Sequence, residues 1–260
     1  MQFKAKKSLG QNFLIDKNIL KKIVGTGDIS RNDKILEIGP GTGNLTEYIV
    51  KSKPKSIIVV EKDNNLIKIL KNKFKNKIKI INTDVLNLTK DFYEDNFIVY
   101  GNLPYNISTK LLAYWCLSIN IKFKKLILMF QKEVADRIIA DVNSKNYSRI
   151  TILANWRFNI KKKFDISSKC FVPRPKIDST LLEFTPKSDV VKIRYPENLE
   201  KITQIFFSQR RKMIKKNFIK LFKNFNYVSK ITDIKLTDRP QNISIEKFLI
   251  MVKEYENNLN

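Results

Sequence analysis

Four polar positions each close a short apolar run, and their types suggest chemistry. Gly39 ends "KILEIG" (34 to 39) and Glu61 ends "SIIVVE" (56 to 61). Asp84 follows "KIKIIN" (77 to 82), and Asn102 follows "NFIVYG" (96 to 101). In "ILEIGPGTGNLTEYI" (35 to 49), Gly39, Gly41 and Gly43 permit a tight turn and close approach of a ligand, and the helix start beyond them offers backbone N–H donors. Glu61 lies 22 residues beyond Gly39, where a carboxylate in nucleotide-binding folds accepts hydrogen bonds from ribose hydroxyls. The turn is not the full G-x-G-x-x-G fingerprint, and no Walker lysine pattern is present. Acidic rather than basic residues around such a crevice argue against a triphosphate and for an adenosine without phosphates. S-adenosylmethionine is such a ligand.

"GNLPYNIST" (101 to 109) supplies the second element. The exocyclic amine of a nucleobase is a poor nucleophile because its lone pair is delocalised into the ring. Acceptors aimed at the amine favour a pyramidal nitrogen whose lone pair faces an electrophilic methyl. The side-chain oxygen of Asn102 and the carbonyl of Leu103, held extended before Pro104, are two such acceptors. Tyr105 offers a flat face for stacking, worth about 1–3 kcal/mol, against the few kcal/mol that unstacking a base requires. Methyl transfer from a sulfonium needs no histidine base, since the proton on nitrogen can leave to water after attack. As an isolated tetrapeptide, N-L-P-Y also reads as an Asn-initiated turn with a core tyrosine.

These residues need a scaffold that brings strand ends together. Short β-branched runs, the four above and "KKLILMF" (124 to 130), alternate with helix-like stretches such as "GNLTEYIVKS" and "NNLIKILKNKF". That alternation predicts an α/β fold with a parallel sheet covered on both faces, in which Gly39, Glu61, Asp84 and Asn102 line one crevice beyond the carboxyl ends of the strands. Strands near 151 to 159 and 178 to 185 are expected to extend the sheet as antiparallel edges. A basic arm and an amphipathic helix, with Ile15, Ile19, Leu20 and Ile23 at helical spacing, precede the sheet over residues 1 to 27. Beyond Pro186, Asp189 and Pro196 the pattern turns helical, so the expected domains are 1–186 and 187–260. In the second, the window 201 to 225 carries eight basic residues and no acidic one, interleaved with Phe206, Phe207, Phe218, Phe222 and Phe225.

Composition narrows the chemistry further. The 260 residues contain no histidine, which excludes histidine triads, histidine general bases and histidine-rich metal sites. Cys116 and Cys170 have no metal-ligand spacing, so buried reduced thiols are expected and no metal site. Fifty Lys and Arg against 25 Asp and Glu give a formal charge of +25. A polyanionic partner explains that charge best; drift toward Lys, Ile and Asn codons is the bland alternative, and an anionic membrane surface the weaker one. No apolar run approaches the roughly 18 to 20 residues of a membrane span, and the N-terminus has no apolar core of a signal peptide, so a cytoplasmic location is expected.

"KSLGQNFLID" (7 to 16), "EIGPGTGNLT" (37 to 46), "VVEKD" (59 to 63), "NTDVL" (82 to 86), "GNLPYNIST", "FVPRPKIDS" (171 to 179) and "FFSQRRKMIKK" (206 to 216), in this order, resemble the ribosomal RNA adenine N6-dimethyltransferase family over nearly the whole chain. The resemblance implies a class I S-adenosylmethionine-dependent (Rossmann-like) methyltransferase domain followed by a small all-helical domain. It implies donor contacts from Asn12, Leu14, Gly39, Glu61, Asp84 and Asn102, with Tyr105 under the target adenine and Phe171 as the opposite face. Lys6, Lys7, Arg174, Lys176, Arg210 and Arg211 become candidates for RNA phosphate contacts.

"GNLPYNIST", "PKIDS" and "SQRRK" resemble the housekeeping branch, which dimethylates two adjacent adenines near the 3′ end of small-subunit (16S) rRNA within an assembling ribosomal subunit. Arg174, Met213 and Lys216 depart modestly from that branch's motifs. A resistance-type large-subunit (23S) enzyme, a DNA adenine methyltransferase, a nicotinamide oxidoreductase and an RNA-binding assembly factor with secondary methylation are the competing readings. A monomer is expected.

Overall fold

The computed structural model describes residues 11–93, 95–103 and 105–258, and only the backbone of Tyr105 and Asn106. In chain order the elements are β1 (Phe13–Leu14), α1 (Lys17–Thr26), β2 (Lys34–Ile38), α2 (Asn44–Lys51), β3 (Ser56–Glu61), α3 (Asn64–Phe74) and β4 (Lys79–Asn82). There follow β5 (Phe97–Asn102), α4 (Tyr105–Leu117), β6 (Phe123–Gln131), α5 (Lys132–Ile138), α6 (Arg149–Arg157), β7 (Phe158–Ile166), β8 (Phe171–Val172) and β9 (Ser179–Pro186). Four helices complete the chain: α7 (Pro196–Phe207), α8 (Lys215–Leu221), α9 (Phe225–Thr232) and α10 (Ile245–Asn257).

The chain folds into two compact units. The first comprises residues 1–112, 120–135 and 159–186. Its seven-stranded sheet has the order β4-β3-β2-β5-β6-β9-β7. β2, β3, β4, β5 and β6 are mutually parallel, and β9 runs antiparallel to β6. β2 and β5 are adjacent, with Glu37 opposite Tyr100 and Ile38 opposite Gly101. Ile35, Leu36, Ile98, Val99 and Tyr100 are fully buried, as central strands covered on both faces require. β1 and β8 form a separate antiparallel ribbon, with Leu14 opposite Phe171.

Helix α1 starts at Asp16, whose carboxylate accepts from the amides of Asn18 and Ile19, both at 2.9 Å. At its other end the Tyr100 hydroxyl donates to the Val24 carbonyl at 2.8 Å. Gly27 is required there, because a Cβ would stand 1.8 Å from that hydroxyl oxygen. This buried contact ties α1 to the middle of β5.

The second unit comprises residues 113–119, 136–158 and 187–260. Glu256, near the end of α10, accepts from the amides of Arg194 and Tyr195 at 2.9 and 2.8 Å and from Asn198 Nδ2 at 3.3 Å, satisfying donors at the start of α7. Phe206, Phe218 and Phe222 are buried, with Phe206 edge-on to Phe218 and to Phe248. The interleaved phenylalanines thus build this unit's core, while Arg211, Lys212, Lys215 and Lys216 stay exposed.

Two expectations need correction. Residues 149–157 form α6 rather than a strand. The Thr151 hydroxyl accepts from the Ser148 amide at 3.0 Å and fixes the helix start, and burial of Thr151, Ile152, Leu153, Ala154 and Trp156 removes the polar face that would have marked a helix. β9 is internal, and β7 with its Lys161, Lys162 and Lys163 is the edge, a placement that blunts strand-to-strand aggregation. The first unit ends at residue 186, and residues 113–119 and 136–158 pack with those beyond it in the second unit.

Tyr100→Phe deletes the donor to the Val24 carbonyl while preserving the ring. Urea denaturation should show a loss of about 1–3 kcal/mol, and an unchanged midpoint would mean that water replaces the hydroxyl.

Candidate active site

Strand order reverses between β2 and β5: from β2 the next strands step toward β4, and from β5 they step toward β6. A crevice opens beyond the carboxyl ends of strands at such a point. In the first unit it is lined by Asn12, Leu14, Gly39, Gly41, Glu61, Asp84, Asn102 and Leu103, among others. All the expected cofactor residues therefore converge.

Gly39, Gly41 and Gly43 have φ of +67°, +59° and +78°. At Gly41 a side chain is excluded twice, by that left-handed backbone and by the Phe13 ring, whose Cδ1 would lie 2.8 Å from a Cβ. Glu61 is 8% exposed. Its Oε1 accepts from the amides of Lys62 and Asp63, both at 2.9 Å, and its Oε2 takes a long 3.4 Å bond from the Gly41 amide. Burial raises its pKa against these amide bonds. Asp84 is partly exposed; Oδ1 accepts from the Leu86 amide at 3.0 Å, and Oδ2 stands 3.3 Å from Lys62 Nζ.

The arm preceding α1 is fastened across the glycine turn. Gln11 Nε2 donates to Asp63 Oδ2 at 3.0 Å, and Asn44 Nδ2 to the Leu14 carbonyl at 2.8 Å. The Ile15 amide donates to the Cys170 carbonyl at 2.9 Å. Asn102 Nδ2 donates to the Asn12 carbonyl at 3.1 Å. This last bond orients the Asn102 amide: with its nitrogen engaged by the arm, Oδ1 is the end left to accept.

Other expected site residues fall differently. Phe171 is 2% exposed, packed in the core that includes Leu14 and Ile166, and it does not line the crevice. Its ring supports the ribbon instead of presenting a stacking face. Pro104, Lys6 and Lys7 lie outside the described residues, as does the Tyr105 side chain; the Tyr105 backbone begins α4 directly after the crevice wall. Arg174 and Lys176 are exposed, Arg174 with its Nε donating to Ser168 Oγ at 3.2 Å. In the second unit Arg210 is half-buried and donates to the Lys145 carbonyl, whereas Arg211 is exposed. Arg210 is thereby a strut between loops, and Arg211 is the freer cation.

Sequence reasoning passed over Glu37, Lys62, Asn44 and Gln11. Glu37 carried a signal: it is the one acid inside the apolar strand "KILEI". It lines the crevice, is 2% exposed, and its pKa is raised to about 7 by burial. The Thr46 hydroxyl beside it favours the ionised form, yet neither Thr46 Oγ1 nor Glu37 Oε2 completes a hydrogen bond of ordinary geometry. Among the described residues no group of three or more acids and cysteines is placed to hold a metal ion, and no helix is long and apolar enough to cross a membrane.

Strand order, glycine turn and acidic strand end together define a Rossmann-like methyltransferase domain. Residues 2–257 match the family model described as ribosomal RNA adenine dimethylase. A protein named ribosomal RNA small subunit methyltransferase A, from Pelagibacter ubique (strain HTCC1062), is 56% identical over 259 residues, covering 98% of each chain. The crystal structure of a dimethyladenosine transferase from Plasmodium falciparum superposes with a TM-score of 0.79 at 26% identity, covering 94% of this chain and 98% of that one. The 23S rRNA methyltransferase ErmE shares the fold, with a TM-score of 0.68 at 21% identity over 94% of this chain and 99% of its own. The chain belongs to the ribosomal RNA adenine dimethylase family.

Glu37 gives a stability test in the ligand-free protein. An unfolded glutamate ionises near its ordinary value, but the folded one stays neutral until about pH 7, so its burial penalty grows as pH rises between those values and is constant above. Glu37→Gln removes the penalty. Its melting temperature relative to wild type should climb from about pH 5 to about pH 7 and then level off; a pH-independent difference would contradict the raised pKa.

Proposed function

We propose that the chain transfers methyl groups from S-adenosylmethionine to the N6 amines of two adjacent adenines near the 3′ end of small-subunit (16S) rRNA, during assembly of the ribosomal subunit. The observation that carries the chemistry is Asn102: it closes β5 in the same crevice as Gly39 and Glu61, with its amide nitrogen held by the Asn12 carbonyl. The choice of RNA rests on the 56% identical, equally long relative, whose name specifies the small subunit.

The crevice fits the donor by its chemistry. Among the described residues it is lined by the carboxyl groups of Glu37, Glu61 and Asp84 against one ammonium, Lys62, in a chain of charge +25; with Glu37 neutral, two acidic groups still face that lysine. Such a lining repels a polyphosphate and suits a nucleoside carrying positive charge. Glu61 Oε1 is saturated by two backbone amides, leaving Oε2 as the acceptor for ribose hydroxyls, and Asp84 holds the far side. Asn12 and Leu14 close the arm over the glycine turn. S-adenosylmethionine supplies an electrophilic methyl on a sulfonium.

For the adenine, Asn102 Oδ1 and the Leu103 carbonyl accept from the N6 amine, holding its lone pair out of conjugation. Tyr105 stacks on the base. Arg174 and Lys176 in the first unit and Arg211 in the second, with Lys6 and Lys7 of the arm, contact phosphates; Arg210 acts through the loop it braces. The protein works as a cytoplasmic monomer on its RNA.

Unmethylated small subunits should take label from S-adenosylmethionine, and mass mapping of nuclease fragments should find two dimethyladenosines near the 3′ end. Label in large subunits would reassign the substrate, and no label in any RNA would remove the reading. Asn102→Ala should lower the transfer rate by about 100-fold or more with little change in RNA affinity. That affinity should fall with salt, log against log, by about 0.7 per neutralised phosphate on single-stranded contacts, and a flat response would exclude a phosphate-reading surface.

A further inference from the structure

We infer that Glu37 makes the crevice discriminate by charge, favouring the positively charged methyl donor over its neutral demethylated product. The inference rests on the reading of the crevice as the S-adenosylmethionine site. Loss of the methyl group leaves the sulfur as an uncharged thioether, so donor and product differ by one positive charge and one carbon. Shape alone separates them poorly.

Glu37 is placed to sense that difference. It sits within β2, directly below the glycine turn, and lines the crevice while being almost fully buried. Among the described residues no ion pair reaches it, and its Oε2 makes no hydrogen bond. The groups packed around it come from every neighbouring element. Thr46 of α2 offers a hydroxyl; Lys73 of α3 favours its ionised form; Glu61 of β3 disfavours it. Tyr100 of β5 carries a buried phenol whose ionisation Glu37 in turn opposes. Burial outweighs the stabilising partners, and the balance stands near neutrality, where a single nearby charge decides it.

A cation in the crevice supplies that charge. It stabilises the ionised carboxylate, so donor binding drives a proton from Glu37, and the ionised carboxylate in turn holds the donor more tightly. The neutral product leaves Glu37 free to take its proton back, and the attraction ends when the methyl group has gone. Glu37 is thus a specificity residue that weakens product inhibition at neutral and alkaline pH.

The test uses direct binding to the full chain. Calorimetric titration at about pH 7, in two buffers of different ionisation enthalpy, should find net proton release with S-adenosylmethionine and none with S-adenosylhomocysteine. The ratio of donor to product affinity should rise about three- to tenfold between about pH 6 and about pH 8. Glu37→Gln should flatten that rise, and comparison of variant with wild type removes the contribution of the ligands' own amino groups. Thr46→Val, which removes the hydroxyl favouring ionisation, should move the midpoint to higher pH. Wild type binding both ligands at a constant ratio, or a Gln variant with an unchanged slope, would overturn the inference while leaving the cofactor reading intact. Binding of neither ligand at any pH would overturn both. If the Gln variant did not fold, proton release by the wild type would decide the matter.

Discussion

Two parallel strands, β2 and β5, lie side by side while their successors depart toward opposite edges of the sheet, and the gap this leaves at their carboxyl ends governs everything else. The strand order thus leaves the residues that follow β2 and β5 at one opening. After β2 comes a glycine turn whose Gly41 amide meets Glu61 Oε2; after β5 come Asn102 and Leu103. β3, next to β2, delivers Glu61, whose buried carboxylate survives because Lys62, Asp63 and Gly41 donate backbone amides to it. The arm before α1 then roofs the opening, with Asn12 and Leu14 tied to Asn102 and Asn44 at its border. Positions far apart in sequence are made adjacent by strand order alone.

Charge is distributed on two scales with opposite sense. Over the whole chain the excess is strongly positive, as attraction of a polyanion at long range requires. Inside the crevice the sign inverts, and carboxylates outnumber the single lysine. The same sign rule that favours a polyanion at the surface disfavours a polyphosphate in the pocket. Phe206, Phe218, Phe222 and Phe248 of the second unit are spent on its core, and Arg211, Lys212, Lys215 and Lys216 between them stay exposed.

Much of this was legible in the residues. Central parallel strands are apolar on both faces, and β2, β3 and β5 show themselves as short apolar runs rich in Ile and Val. The strand-end residues follow from that pattern, since a polar residue that ends such a run has few other places to go. The pattern misleads where burial erases periodicity: α6 is buried nearly all round, and its Thr and Ile content resembles a strand until the Ser148 contact is seen. It is silent where partners are distant. Nothing local marks Asn44 as the anchor of the Leu14 carbonyl, Phe171 as a core ring or Arg210 as a loop strut, because each depends on a segment brought near only by the fold. Glu37 was visible as an acid among apolar neighbours, but its meaning came from the crevice above it.

The ribbon of β1 and β8 joins the beginning of the described chain to residues near the end of the first unit. During synthesis the arm emerges first and its strand partner emerges long afterwards. Until Phe171 and Val172 have left the ribosome, Phe13 and Leu14 lack their partner strand, while the bonds of Leu14 to Asn44 and of Asn12 to Asn102 join segments already made. A nascent chain thus carries a complete glycine turn and acidic strand end through much of its translation before the strand that pairs with its arm is made.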